Sequence, residues 1–93
     1  MSVTFHLPGY LSAFAGGRGK LEVEGDFADV GEALAALGRA HPGVRDRVLS
    51  EDGRVRPHVN VFVGRESIRH SGGLATPVGD ATEIYIIPAV SGG

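Results

Sequence analysis

Hydrophobic and polar residues alternate in four segments of the chain, which is the pattern of half-buried β-strands. The segments are VTFHL from Val3, KLEVE from Lys20, VNVFV from Val59 and EIYII from Glu83. One face of each predicted strand is therefore apolar and faces the core. The predicted inward positions are Val3, Phe5, Leu7, Leu21, Val23, Val59, Val61, Val63, Ile84 and Ile86.

Between the second and third strands, the hydrophobic period changes from two to three or four. This spacing is typical of an amphipathic helix. Asp29 and Glu32 form an acidic variant of the capping box at its start, and Pro42-Gly43 is expected to end it. The following VRDRVL segment predicts one or two further helical turns. The apolar stripe of the main helix consists of Val30, Ala33, Leu34 and Leu37.

The remaining segments are rich in glycine and predict loops. AGGRG connects the first two strands, which are expected to form a hairpin, and SGGLATPVGDA can hold a helical turn near Leu74. RESIRH predicts a turn with room for a short strand at Ile68. The element order is β-β-α-β-(β)-β, which predicts an α+β fold with a mixed sheet of four to five strands on one main helix. A β-grasp roll is the compact arrangement of these elements.

Three large apolar residues fall on the face of the sheet that points away from the helix. The alternation places Phe62 on the third strand and Tyr85 and Ile87 on the last one, all directed to solvent. Scattered exposed apolar residues are ordinary on protein surfaces. A cluster of three on two strands expected to be neighbours, beside the end of the chain, favours a partner-binding surface.

Composition excludes several classes of function. The chain has 93 residues, enough for one domain, and a formal net charge of −2, which argues against generic nucleic-acid binding. It lacks an apolar run of membrane-spanning length and a signal-like N-terminus, so we expect a soluble cytoplasmic protein without a membrane partner. Without cysteine, it has no thiolate nucleophile and no disulfide. Lys20 is its single lysine.

Other motifs favour structural roles. GGRGK lacks the spacing of a phosphate loop, and Leu21 stands where such a loop needs serine or threonine. The four histidines have no metal-ligand spacing, so no metal is expected. Glu51 and Asp52 are typical of a turn. A group of arginines near the third strand is either a solvated face or a basic rim that could meet an acidic groove on a partner. These arginines are Arg54, Arg56, Arg65 and Arg69.

The chain ends in PAVSGG, which predicts a tail over residues 88–93 after a domain over residues 1–87. Pro88 is expected to end the last strand and to direct the tail away from the sheet. A double glycine at a terminus is either a frayed end or the working part of the protein. Glycine suits a reacting end, because it leaves the carbonyl of Gly93 unhindered and lets Gly92 adopt any backbone conformation.

The segments VNVFVGRESIR, GGLATPV and EIYIIPAVSGG together resemble the MoaD/ThiS family of ubiquitin-like sulfur carrier proteins. The resemblance covers nearly the whole chain and implies a β-grasp domain with a flexible Gly-Gly tail. Within the family, SGGLATPV and PAVSGG look most like the actinobacterial carrier used in cysteine biosynthesis. The small subunit of molybdopterin synthase is the near alternative. The family often has an Asp-Gly-Asp-Glu turn before the last strand, where this chain has Asp80-Ala81-Thr82-Glu83.

The resemblance implies a reaction cycle at the end of the chain. An E1-like enzyme adenylates the Gly93 carboxylate with ATP, a sulfur donor displaces AMP, and the resulting thiocarboxylate delivers sulfur to a biosynthetic enzyme. The protein is then a co-substrate and not an enzyme, it binds no cofactor, and it is a monomer when free. Its partners are the activating enzyme and the sulfur-accepting enzyme. The residues expected to contact them are Phe62, Tyr85, Ile87, Pro88, Val90 and Ser91, with Gly92 and Gly93 at the reacting end.

The chemistry of the terminus is compatible with this cycle. An α-carboxylate is an anion at neutral pH and a poor acyl electrophile, whereas its mixed anhydride with AMP has a good leaving group. A thiocarboxylate is a soft nucleophile, so a protein without cysteine can carry sulfur. Two alternatives stay open: a modifier whose activated tail forms isopeptide bonds with lysines, and an interaction module with an inert tail.

Overall fold

The structure, a computed structural model, describes residues 1–88. Its strands are β1 (Ser2–His6), β2 (Lys20–Glu24), β3 (Val59–Val63), β4 (Glu66–Ser67) and β5 (Thr82–Pro88). Its α-helices are α1 (Gly9–Ser12), α2 (Val30–Ala40) and α3 (Pro42–Val48). Short 3₁₀ turns lie at Ala13–Ala15, Ile68–His70 and Gly73–Ala75.

The five strands form one mixed sheet with the order β2-β1-β5-β3-β4. β1 pairs antiparallel with β2 and parallel with β5, and β3 pairs antiparallel with both β5 and β4. β5, the last strand within residues 1–88, is therefore the central strand of the sheet. The predicted α+β fold and the hairpin of the first two strands are confirmed. The short strand lies at Glu66–Ser67, just before Ile68, which instead begins a 3₁₀ turn.

The core lies between the inner face of the sheet and α2. Every predicted inward position is buried except Val23 and Val63, which are partly buried and pack against the core. The predicted stripe of α2 is buried as well. Each large apolar side chain removed from water in this way contributes about 1.5–3 kcal/mol, so the alternation on the strands and the stripe on the helix together determine which faces meet.

The start of α2 has a reciprocal cap. Asp29 Oδ1 accepts a hydrogen bond from the Glu32 amide at 2.9 Å, and Glu32 Oε1 accepts one from the Ala28 amide at 3.0 Å. The second bond thus goes to the residue before the cap and not to the cap itself. At the other end, Pro42 follows α2 and occupies the first turn of α3, where its missing N–H leaves no helical bond unmade.

The connection between β1 and β2 differs from the glycine-rich loop that the sequence predicted. Residues Gly9–Ala15 form α1 and a 3₁₀ turn, and they bury Leu11 and Ala15. These two residues are four apart, which places them on one helical face, but a single pair is too short a pattern to show a period. Phe14 on this segment packs against Gly43, where a Cβ atom would come within 3.0 Å of its ring.

The turn before β5 holds Ala81 in a left-handed conformation, with a φ of 63°. Within residues 1–88, it is the single non-glycine residue with positive φ. Its amide donates to the Ser2 carbonyl at 2.9 Å, and Asp80 Oδ1 accepts from the Ser2 amide at 3.0 Å. Alanine thus adopts at this position a conformation that suits glycine.

Candidate functional site

A row of side chains crosses the outer face of the sheet, the face that points away from α2. Tyr85 on β5 lies opposite His6 on β1 and opposite Phe62 on β3. The row continues to Lys20 beside His6 and to Ser67 beside Phe62. Because side chains directly opposite one another on neighbouring strands share a face, one imidazole and two aromatic rings are contiguous in the middle of the sheet.

His6 and Tyr85 form the most ordered part of this row. Their rings are stacked, with centroids 4.2 Å apart and planes inclined by 9°. His6 Nε2 also lies 2.7 Å from Glu83 Oε1. The stack and the polar contact together hold Tyr85 in one orientation, so little side-chain freedom remains to be lost when a partner covers it.

Of the predicted partner residues, Phe62, Tyr85 and Ile87 lie on this face, but two of these three are less exposed than expected. Ile87 is 43% exposed, whereas Phe62 and Tyr85 are half-buried because each is flanked by side chains of the neighbouring strands. We call His6, Phe62, Tyr85 and Ile87 the docking face. His6 was not predicted as a member, because its position depends on the parallel pairing of β1 with β5, which the local pattern of β1 does not encode.

The docking face reaches the end of β5. Ile87 lies opposite Asn60, and Pro88 opposite Val59. A shallow, mainly apolar groove of about 230 Å³ lies between Pro8 and Pro88. We call the end of β5 at Ile87 and Pro88 the tail root, since residues 89–93 continue from it. The predicted site residues Val90, Ser91, Gly92 and Gly93 lie outside the described residues.

The four arginines near β3 do not form one basic rim. Arg69 Nη2 donates to the carbonyls of Pro57 at 3.3 Å and Val59 at 3.1 Å. Its guanidinium therefore braces the start of β3. Arg54 Nε lies 3.5 Å from Asp52 Oδ2. Arg65 lies in the turn between β3 and β4, at the end of β3 that is remote from the tail root.

Arg56, like Arg69, lies near the start of β3, whose first residue pairs with Pro88. Its Nε donates to the Asp46 carbonyl at 3.0 Å, and it shares a groove with His58. The separation of Arg56 from Arg65 follows from the strand between them, because Arg56 precedes β3 and Arg65 follows it.

Within residues 1–88, no group of three or more acidic or histidine side chains is placed to hold a metal ion. None of the helices in this part of the chain has the length and apolar character that crossing a membrane requires.

Comparison with protein families gives a match to the ThiS family over residues 5–93. This chain belongs to the ThiS family. It is 35% identical to the sulfur carrier protein CysO of Mycobacterium tuberculosis, with all of both chains covered. The crystal structure of that CysO superposes with a TM-score of 0.85 at 33% identity, covering 95% of this chain and 99% of CysO.

Two further proteins show how ThiS-family relatives are used. The chain is 43% identical to small archaeal modifier protein 1 of Haloferax volcanii, over 89% of this chain and 91% of the relative. It also matches a chain in the crystal structure of the Amycolatopsis orientalis BexX/CysO complex, with a TM-score of 0.86, 35% identity and coverage of 98% and 99%. The relatives of this ThiS-family protein are thus sulfur carriers and protein modifiers with the ubiquitin-like β-grasp fold, and a carrier among them forms a complex with a second protein.

Proposed function

We propose that this protein is a sulfur carrier whose working group is the carboxylate of Gly93. The observation that carries the proposal is the family match, which extends through PAVSGG to the last residue. A relative named as a sulfur carrier is also covered over its full length. Cysteine biosynthesis is the pathway that we favour, because CysO is the carrier that this chain resembles.

The proposed cycle has two steps. An oxygen of the Gly93 carboxylate attacks the α-phosphorus of ATP, which releases pyrophosphate and leaves an acyl adenylate. A sulfide-level donor then attacks the carbonyl carbon, the bond to the AMP oxygen breaks, and a thiocarboxylate remains. ATP is bound by the E1-like enzyme and not by this chain, so the carrier needs no cofactor and serves as a co-substrate.

The docking face supports this role. A carrier has to place its terminus in the active sites of two enzymes, the activating enzyme and the sulfur-accepting enzyme. A rigid aromatic surface beside the tail root allows a partner to fix the domain while the tail enters a channel. We therefore propose that Phe62, Tyr85, Ile87 and Pro88 bind these partners and that His6, through its stack with Tyr85, belongs to the same surface. The free protein is expected to be a monomer.

The test is intact-mass analysis of the full chain after incubation with its cognate activating enzyme, ATP and a sulfur source. We expect the mass increase of one sulfur-for-oxygen exchange. A variant without Gly93, and a second variant with one residue added after it, should show no exchange. Both should melt at nearly the same temperature as the wild type. If either variant still accepts sulfur, the carrier proposal is wrong.

A modifier role is the second candidate, favoured by the 43% identity to small archaeal modifier protein 1. In that case the same acyl adenylate would be captured by a lysine amine of a target protein, which forms an isopeptide bond and releases AMP. The same mass experiment separates the two functions when target proteins are present. A modifier yields conjugates heavier by one copy of this chain, whereas a carrier yields the sulfur-for-oxygen exchange alone.

A further inference from the structure

A polar groove of about 470 Å³ lies at the end of the sheet that carries the tail root. Tyr10 lines it from the segment after β1, and His58 lines it from the residue before β3. β5 lies between these two strands, and Pro88 pairs with Val59, the neighbour of His58. The groove is therefore adjacent to the point from which residues 89–93 continue.

The charge of this groove differs in sign from the net charge of the chain. Arg47 and Arg56 line it together with His58, against a single carboxylate from Asp46. That carboxylate is shared, because Asp46 Oδ1 lies 3.6 Å from Arg45 Nη1 outside the groove. The chain as a whole has a net charge of −2, so this end of the sheet is a local region of positive charge on an acidic protein.

Both guanidinium groups are held in place by the fold. Arg47 lies over the Phe14 ring at 3.5 Å, and its Nη1 donates to the Gly43 carbonyl at 3.1 Å. Arg56 is oriented by its hydrogen bond to the Asp46 carbonyl. A guanidinium carries five N–H donors, and each of these backbone contacts uses one of them. The other donors remain to bind a carboxylate from another molecule.

We propose that this groove faces the mouth of the activating enzyme's channel and that the enzyme's rim there is acidic. The proposal rests on the carrier function proposed above, because it requires the tail to enter an active site. Whichever channel receives residues 89–93 must come close to the tail root, and the groove borders the tail root. Asp or Glu side chains on the rim would pair with Arg47 and Arg56 and would orient the domain before the tail enters.

The positive charge at the tail root comes from a different set of residues than the basic rim that the sequence predicted. Of the four arginines that the sequence grouped, Arg56 alone lines the groove, and Arg47 joins it from α3. Complementary charges on two associating surfaces raise the association rate and make it sensitive to salt, because ions screen the attraction. The association rate is therefore the quantity to measure.

The experiment is stopped-flow association of the full chain with its cognate activating enzyme at low and high ionic strength. Arg47→Glu should slow association about tenfold at low salt, and the difference should nearly vanish at high salt. The matched control is Arg65→Glu, which changes the net charge equally at the remote end of β3 and should have a much smaller effect. His58→Glu adds a negative charge to the groove at an exposed residue and should act like Arg47→Glu, even if the latter loosens α3.

Two results would overturn the inference. One is an equal effect of Arg47→Glu and Arg65→Glu, which change the net charge equally, so that net charge alone would account for both. The other is a loss at positions 47 and 58 that persists unchanged at high salt. The intact-mass assay on the wild type, run with the same enzyme, reports separately on the carrier function. A wild type that gains sulfur while the three variants associate alike would retain the proposed function and reject the acidic rim.

Discussion

The two faces of the sheet are built from alternate residues of the same strands, yet they differ in what surrounds them. On the inner face, Phe5 and Ile84 are fully buried against α2. On the outer face, their chain neighbours His6 and Tyr85 stack on each other and stay half-buried. The inner face is explained by packing, whereas the core does not require aromatic residues on the outer face. If the proposed docking residues bind the partners, stability and partner recognition are therefore separable by face in this protein.

The largest expected effect compares the same substitution on the two faces. Phe5→Ala should lower the free energy of unfolding by about 3–5 kcal/mol, because it leaves a cavity in a closed core. Phe62→Ala should lower it by only about 1 kcal/mol, because the half-buried ring gives up less contact with the protein. Urea denaturation of both variants measures the difference. Similar losses of unfolding free energy in the two variants would contradict the difference between the two faces.

For binding to the activating enzyme, we expect substitutions on the outer face of the sheet to have a larger effect than substitutions in the core. Phe62→Ala should weaken the affinity for the activating enzyme by about 1–3 kcal/mol, the range of an aromatic anchor at an interface. The control is Leu74→Ala, which truncates a half-buried side chain that packs on the core and does not belong to the docking face. Titration calorimetry on both variants should show a loss for Phe62→Ala alone. If Leu74→Ala weakens binding as much, the effect comes from stability and not from the face.

A smaller effect of opposite sign is expected at the turn before β5. Ala81→Gly should raise the free energy of unfolding by about 0.5–1 kcal/mol, because it relieves a left-handed alanine at the cost of a more flexible unfolded chain. The melting temperature should rise by roughly 2–8 °C. Affinity for the partner should not change, since the turn lies at the end of β5 remote from the tail root.

The control for this substitution lies in the middle of α2. Ala35 is exposed and helical, so Ala35→Gly should lower the free energy of unfolding by about 1 kcal/mol. Ala81→Gly should therefore have a higher melting temperature than the wild type, and Ala35→Gly a lower one. A lower melting temperature for both would show that Ala81 is not strained.

The smallest effect concerns Asp52, in the turn after α3. The hydrogen bond from the Ser50 hydroxyl lowers the pKa of its carboxyl below the ordinary value. A carboxyl whose pKa is lower in the folded state stabilises the fold above its unfolded pKa, and this contribution is lost as the pH falls through the folded pKa.

Asp52→Asn should therefore lower the melting temperature slightly at neutral pH and leave it unchanged in strong acid. Thermal melts of the wild type and the variant across the acid range measure this difference. Partner affinity should stay the same at neutral pH. A difference in melting temperature that grows toward acid pH would contradict the assignment.

The local pattern of hydrophobic and polar residues was sufficient to predict most of the fold. The alternation in VNVFV placed Val59 and Val61 inside and Phe62 outside, and the structure confirms these positions. The apolar stripe of α2 and its cap were also predicted from residues close together in the sequence. In contrast, the buried turn at Leu11 and Ala15 carries too few apolar residues to reveal a period, so the sequence predicted a loop there.

The complete docking face could not be predicted from local pattern, because it depends on pairing between strands that are far apart in the sequence. Phe62 and Tyr85 were predicted because both strands alternate strongly, but His6 joins them only through the parallel pairing of residues 79 positions apart in sequence. Arg47 on α3 and Arg56 in the segment before β3 line one groove although they are nine positions apart in sequence. Contacts of this kind follow from topology, which neighbouring residues in the sequence do not specify.

The central position of β5 also determines how the domain responds to mechanical force. A pull on the end of the chain acts along β5, which is paired with β1 on one side and with β3 on the other. The hydrogen bonds of both ladders cross the direction of the pull, so they bear the load in shear and must fail together. An edge strand pulled sideways would instead peel away one bond at a time. In the proposed cycle, the terminus could therefore be drawn taut inside an enzyme's channel while the domain outside remains folded.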